Sequence, residues 1–120
     1  NITTAFPHWF TPTYAGYADD PAHCPVDQHQ LIALIAPRAV YVASASQDTW
    51  ADPEGEFLAA RAASPVWRLF GREGLDFESW PAANLPVGVF VGYHVRAGGH
   101  DLTAYDWEQY LAFAERHWRR

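Results

Sequence analysis

Two short apolar runs, set apart by a stretch long enough to hold a helix, constrain this chain more than any other feature. Ala39-Val40-Tyr41-Val42-Ala43 and Val87-Gly88-Val89-Phe90-Val91-Gly92-Tyr93-His94-Val95 lack the polar alternation of a half-exposed strand. They read instead as strands buried on both faces. About 45 residues containing a helical pattern lie between them, which demands a parallel pair with a right-handed crossover. Two such strands cannot stand alone, so an α/β fold with a parallel sheet and flanking helices is expected. Function in such sheets collects at the carboxyl ends of the strands. The loops Ser44 to Pro53 and Ala97 to Thr103 both leave that edge.

The rest of the chain fills in around this unit. Asn1 to Pro25 combines Pro7, Pro12 and Pro21 with many aromatics and no sustained period, and reads as a long ordered loop. Trp9, Phe10, Tyr14 and Tyr17 within it are costly to leave in water. Val26, Leu31, Ile32, Leu34 and Ile35 recur at helical spacing behind Asp27, and Pro37 ends that short helix. A second helix is expected from Pro53 to Gly71 through Phe57, Leu58, Arg61, Ala62, Val66, Leu69 and Phe70, kinked or divided at Pro65. Arg72 to Pro86 is irregular. Thr103 suits the cap of a last helix whose apolar stripe holds Tyr105, Trp107, Tyr110, Leu111, Phe113, Ala114 and Trp118. Arg116, Arg119 and Arg120 then face the negative end of its dipole.

Composition excludes several partners. The 120 residues allow one domain or less, and 49% hydrophobic content is enough for a packed core. A net charge of −6, with scattered arginines and no lysine, argues against a nucleic-acid surface. No apolar run approaches the length of about 20 residues that spans a bilayer. Cys24 is the single cysteine, so no internal disulfide forms. The chain opens on Asn1 and its first strong strand comes late, from which we expect it to be part of a larger protein.

Gly98-Gly99-His100-Asp101-Leu102 is the segment that reads as carrying chemistry, the alternative being a histidine that caps the helix that follows. Two glycines permit a tight turn with positive φ, and His100 is the first side chain able to leave it. An imidazole with a pKa of about 6.5 can take a proton from a hydroxyl and return it to a leaving alcohol. Asp48, on the loop after the preceding strand, is the natural carboxylate partner for its Nδ1. Asp52 competes for that role, but its place before Pro53 suits a helix cap. Ser44, Ser46, Ser64 and Ser79 are the serines, and none lies in a Gly-x-Ser-x-Gly elbow. If the pair serves a serine hydrolase, its nucleophile and oxyanion hole are therefore expected upstream of Asn1. His23, Cys24 and His29 lack a fourth ligand for a zinc site, so no metal is expected. Arg38 can reach helix carbonyls or a carboxylate, a structural ion pair being the default; Trp9 and Trp80 can line a sugar cleft but read first as buried anchors, and His94 and His117 as structural.

Four blocks in order, Phe6-Pro7-His8-Trp9-Phe10, Pro25 through Arg38, Tyr41 through Ser46 with Asp48, Trp50 and Asp52-Pro53, and Gly98 through Leu102 with Tyr105-Asp106-Trp107, resemble the bacterial glucuronoyl esterases of carbohydrate esterase family 15. The resemblance spans nearly the whole chain. It implies the C-terminal part of an α/β-hydrolase domain, with the nucleophile-bearing part outside residues 1–120. It implies a serine-type ester hydrolase, free of metal and other cofactors, that cleaves the 4-O-methyl-glucuronoyl ester joining xylan to lignin. By the same resemblance His100 is the catalytic base, Asp48 the acid and Trp50 a sugar-binding residue. Some members place a glutamate acid after an earlier strand. A secreted or periplasmic monomer without nucleic-acid or membrane partners is implied, inactive as these residues alone. An acetylxylan esterase with the same triad is the neighbouring alternative. Six tryptophans also suit a non-catalytic carbohydrate-binding module.

Overall fold

A computed structural model describes residues 2–118. The expected parallel pair is present. β1 (Val40–Ala45) and β2 (Val91–Arg96) run side by side with Val40 opposite Val91 and Ala45 opposite Arg96. Every residue of β2 is buried, whereas the first four of β1 are half-exposed. Burial on both faces thus holds for β2 and only in part for β1.

The longer apolar run does not form one strand. Val87 and Tyr93 exchange both backbone hydrogen bonds, at 2.8 and 2.9 Å, in an antiparallel bridge. The chain reverses at Gly88, whose φ is +87° and where a Cβ would fall 2.0 Å from the Val91 carbonyl oxygen. A glycine inside a strand-like run marked this turn.

The first 25 residues also depart from expectation. They hold α1 (Ile2–Ala5), a 3-10 turn at Pro7–Trp9, α2 (Pro12–Ala15) and a 3-10 turn at Pro21–His23. Pro7, Pro12 and Pro21 each open one of these pieces, because a fixed φ suits the first helical turn and the absent N–H is not missed there. Trp9 is 61% exposed, stacked on Phe6 with ring centroids 4.3 Å apart, so it is not a buried anchor.

α3 (Gln28–Ala33) is shorter than its apolar pattern and carries a capping box. Asp27 accepts from the Gln28 amide at 2.7 Å, and the Gln30 side chain accepts from the Asp27 amide at 2.9 Å. Beyond it, Arg38 donates Nε to the Ile35 carbonyl at 3.2 Å, the helix-carbonyl contact open to it, and pairs with no carboxylate among the described residues. Pro65 divides the next helix into α4 (Pro53–Ala63) and α5 (Pro65–Leu69). The buried face of this pair is Phe57, Ala60, Ala63 and Trp67, while Leu58, Leu69 and Phe70 are exposed. Together with Leu75, Val87, Val91, Tyr93 and Val95 that face makes the core. Trp80 is half-buried, packed against the core without being sealed in it, and its indole N–H donates to the Tyr93 hydroxyl at 3.0 Å.

α6 (Ala104–Trp118) lies against both strands. Phe113 faces inward as expected, but Trp107, Leu111 and Trp118 are exposed, and a charged residue, Asp106, is buried on the inner face. Arg119 and Arg120 lie outside the described residues. His117 donates Nε2 to the Val89 carbonyl at 2.9 Å, a structural role. Among the described residues no helix is long and apolar enough to cross a membrane.

The division at Pro65 leaves Ser64 to join the pieces. Its Oγ donates to the Ala60 carbonyl at 3.0 Å and accepts from the Leu75 amide at 2.8 Å, all within the core. Ser64→Ala strands a buried N–H, which costs about 1–3 kcal/mol. A urea titration is expected to show that loss as a lower midpoint at unchanged slope.

Candidate active site

Parallel register decides where the functional side chains go. Because Ala45 sits opposite Arg96, both strands release their loops at one edge and the loops continue to pair. The Ser46 amide donates to the Arg96 carbonyl at 2.8 Å, and the Gln47 amide to the Gly98 carbonyl at 2.8 Å. Asp48 then closes a turn onto the Ala45 carbonyl at 3.0 Å. Fixed backbones on both sides bring the two side chains together.

His100 Nδ1 and Asp48 Oδ2 are 2.6 Å apart. An ionised carboxylate only accepts, so Nδ1 carries the proton and Nε2 of the neutral ring keeps its lone pair. The two partners differ sharply in exposure, with 92% of the His100 side chain and 14% of the Asp48 side chain open to solvent. The hydrogen bond that His100 donates to Asp48, and then the Asp48 charge, raise the His100 pKa above the ordinary 6.5. They do so by favouring the imidazolium.

Of the two glycines before His100, only one is needed for the turn. Gly98 has φ +119°, and a Cβ there would stand 2.9 Å from Arg96 Nη1. Gly99 has open space around it and no positive φ, contrary to expectation. Asp52 takes the other role open to it: its Oδ1 accepts from the Gly55 amide at 3.1 Å, capping α4. Trp50 stands 75% exposed beside the pair's loop, edge-on to Phe6 with centroids 5.9 Å apart. It is not a core tryptophan.

A shallow cavity of about 240 Å³ at this edge is lined by Ser44, Asp48, Glu56, Arg96, His100 and Asp106 among others. Three of these residues escaped the sequence reading. Glu56 accepts from the Ser44 hydroxyl at 2.6 Å, and burial, against that bond, raises its pKa. Arg96 and Asp106 form a buried pair, with Nε donating to Oδ2 at 2.9 Å. Asp106 Oδ1 also accepts from His94 Nε2 at 2.9 Å, and the opposite ring nitrogen of His94 faces the Tyr41 hydroxyl at 3.0 Å. His94 is fully buried, so its reading as structural holds. Thr103 was expected to cap α6 with its own oxygen. It instead donates both its amide, at 2.6 Å, and its hydroxyl, at 2.8 Å, to Asp106 Oδ2. Burial pushes the Asp106 carboxyl up, but donors from Thr103 and His94 and the Arg96 charge outweigh it and bring its pKa down to about 2.

Known proteins resemble the chain over this site and beyond it. The family model described as "Glucuronyl esterase, fungi" matches residues 1–71. A carbohydrate esterase of an unknown prokaryotic organism is 52% identical over 97% of the chain, which covers 27% of that protein. The 4-O-methyl-glucuronoyl methylesterase of Hypocrea jecorina is 36% identical over 52% of the chain and 14% of its own length. Among solved structures, a glucuronoyl esterase from Solibacter usitatus superposes with a TM-score of 0.91 at 54% identity, over 98% of this chain and 30% of that one. The chain thus spans less than a third of the relatives it matches.

The raised His100 pKa has a direct check. In histidine-labelled protein the ring is expected to titrate above 6.5, and Asp48→Asn is expected to return it toward the ordinary value, read by NMR of the ring carbons.

Proposed function

The chain belongs to the glucuronoyl esterase family, and from that premise we propose that it supplies the acid and the base of a serine-type carboxylic ester hydrolase. The supporting observation is the 2.6 Å contact between His100 Nδ1 and Asp48 Oδ2 at the carboxyl edge of a parallel sheet. Its value for catalysis lies in the arrangement. A proton fixed on Nδ1 leaves Nε2 as a base directed away from the carboxylate, on the open side of the ring.

The reaction is acyl transfer. His100 Nε2 takes the proton of a serine hydroxyl as the serine oxygen bonds to the uronate carbonyl carbon. The tetrahedral intermediate collapses, the bond to the alcohol oxygen breaks, and His100 returns its proton to that oxygen. Water then enters by the same route, His100 accepting its proton, and the uronic acid leaves as the serine is reprotonated. Asp48 stays ionised throughout and stabilises the imidazolium formed in each half.

The nucleophile and oxyanion hole belong to a part of the domain other than these residues. Ser44 donates to Glu56, Ser64 is sealed in the core, and no serine stands in an elbow motif. The substrate is the ester between 4-O-methyl-glucuronic acid on xylan and a lignin alcohol. The exposed indole of Trp50 offers an apolar face for the sugar ring and an N–H for one of its oxygens. The protein acts as a secreted or periplasmic monomer, without a metal or other cofactor.

Assay of the full-length esterase on methyl glucuronate against acetylated xylan tests this reading. Hydrolysis of the glucuronate is expected, with His100→Ala lowering kcat by about 10⁴-fold or more and Trp50→Ala acting mainly on KM. Activity on acetylated xylan alone overturns the substrate assignment. Full activity in His100→Ala overturns the esterase reading.

A further inference from the structure

His100 poses a positioning problem. A side chain 92% open to solvent is held by few neighbours, so its place is set by the backbone beneath it. That backbone is a loop, and loops without internal support move freely. Up to Gly98 the loop is tied by the Gln47 amide and by Asn84, and beyond it the support comes from one buried side chain.

Arg96, the last residue of β2, turns its guanidinium back under the loop that follows it. Nη2 donates to the Gly99 carbonyl at 3.1 Å and to the Asp101 carbonyl at 2.7 Å, the two residues flanking His100. Nη1 donates to the Ala97 carbonyl at 3.2 Å. The third nitrogen, Nε, is held by Asp106, which Thr103 and His94 fix in turn. Arg96 and Asp106 side chains are 8% and 4% exposed, so this clasp is built inside the protein. We propose that Arg96, anchored by Asp106, is the positioning residue that grips the carbonyls on either side of His100 and so holds its ring against Asp48.

The chemistry of the clasp selects arginine. Several donors in one rigid plane reach three carbonyls and a carboxylate at once, whereas the lysine ammonium is a point charge with a shorter reach. Gly98 fits the same device. Its Cα lies so close to the guanidinium that a Cβ would press on Nη1 at 2.9 Å. The segment therefore combines a glycine that admits the arginine with an arginine that fixes the histidine. An ion pair that merely docked α6 on the sheet would need Nε and Asp106 but none of the three carbonyl contacts.

This inference rests on His100 being the base, and the test separates the two. In the full-length esterase, Arg96→Lys keeps the charge beside Asp106 and removes the fork. The expected result is a drop in kcat of about ten- to hundred-fold with KM nearly unchanged, since small misplacements of a catalytic group act at that scale. The His100 ring, followed by NMR, is expected to titrate closer to 6.5 as its contact with Asp48 loosens. Asp106→Asn, which weakens the anchor of Arg96 and leaves the strained turn at Gly98 untouched, is expected to give the same pair of changes and carries the test if Arg96→Lys does not fold. A folded variant that loses thermal stability but keeps both kcat and the His100 titration assigns Arg96 to helix docking and overturns the proposal. Because the titration does not depend on turnover, it decides the matter even if His100→Ala proves active and the esterase reading falls.

Discussion

The parallel register of β1 and β2 is the constraint on which the site depends. Parallel strands send both loops off the same edge, and Ala45 opposite Arg96 fixes how far each has run when it leaves. The residues that matter then follow within a few positions, Asp48 on one side and His100 on the other. A slip of one residue would turn each strand's side chains to the opposite face and separate the pair. Core packing of Val91, Tyr93 and Val95 against α4 and α5 opposes such a slip. Catalytic geometry is in this sense a by-product of which apolar residues pack where.

A second layer beneath the edge is polar, and its energetics differ from those of the core. Burying an arginine and an aspartate costs several kcal/mol per ion unless their remaining donors and acceptors are filled. Here every nitrogen of the guanidinium and both carboxylate oxygens have a partner. Asp106 accepts from Arg96, His94 and Thr103, and the Arg96 fork finds three carbonyls. His94 completes the set, with Nε2 donating to Asp106 and Nδ1 paired with the Tyr41 hydroxyl. Such a network adds little net stability compared with an apolar replacement of the same shape. What it adds is a single arrangement for the loop above it.

This division explains what could be read from the sequence. Apolar runs and proline positions report on backbone and core, so the two strands, the break at Pro65, and the convergence of Asp48 and His100 were all legible. Gly88 hid a reversal because the run around it kept its apolar character on both sides of the turn. The prolines near the N-terminus read as loop because each begins a helical piece too short to show a period. Asp106 and Arg96 were missed for a different reason. A charge within a helix or at a strand end reads as solvent-facing by default, and only the opposing partner makes burial tolerable. Asp106 falls on the same face of α6 as Phe113, seven positions later, and that spacing was the available sign.

The unequal exposure of His100 and Asp48 follows from what each must do. A carboxylate that stabilises an imidazolium acts more strongly when water is kept from it, and Asp48 is largely covered. A base must reach a hydroxyl carried by another part of the protein, and His100 is open on the Nε2 side. An exposed histidine cannot be held by its single bond to Asp48, since contacts between solvent-exposed charges are screened and weak. The rigidity therefore has to enter through the backbone, from below, where the side chains are buried and hydrogen bonds hold. That requirement connects the buried Arg96 and Asp106 to the exposed ring, and it explains why the polar network lies directly under the one loop that needs it.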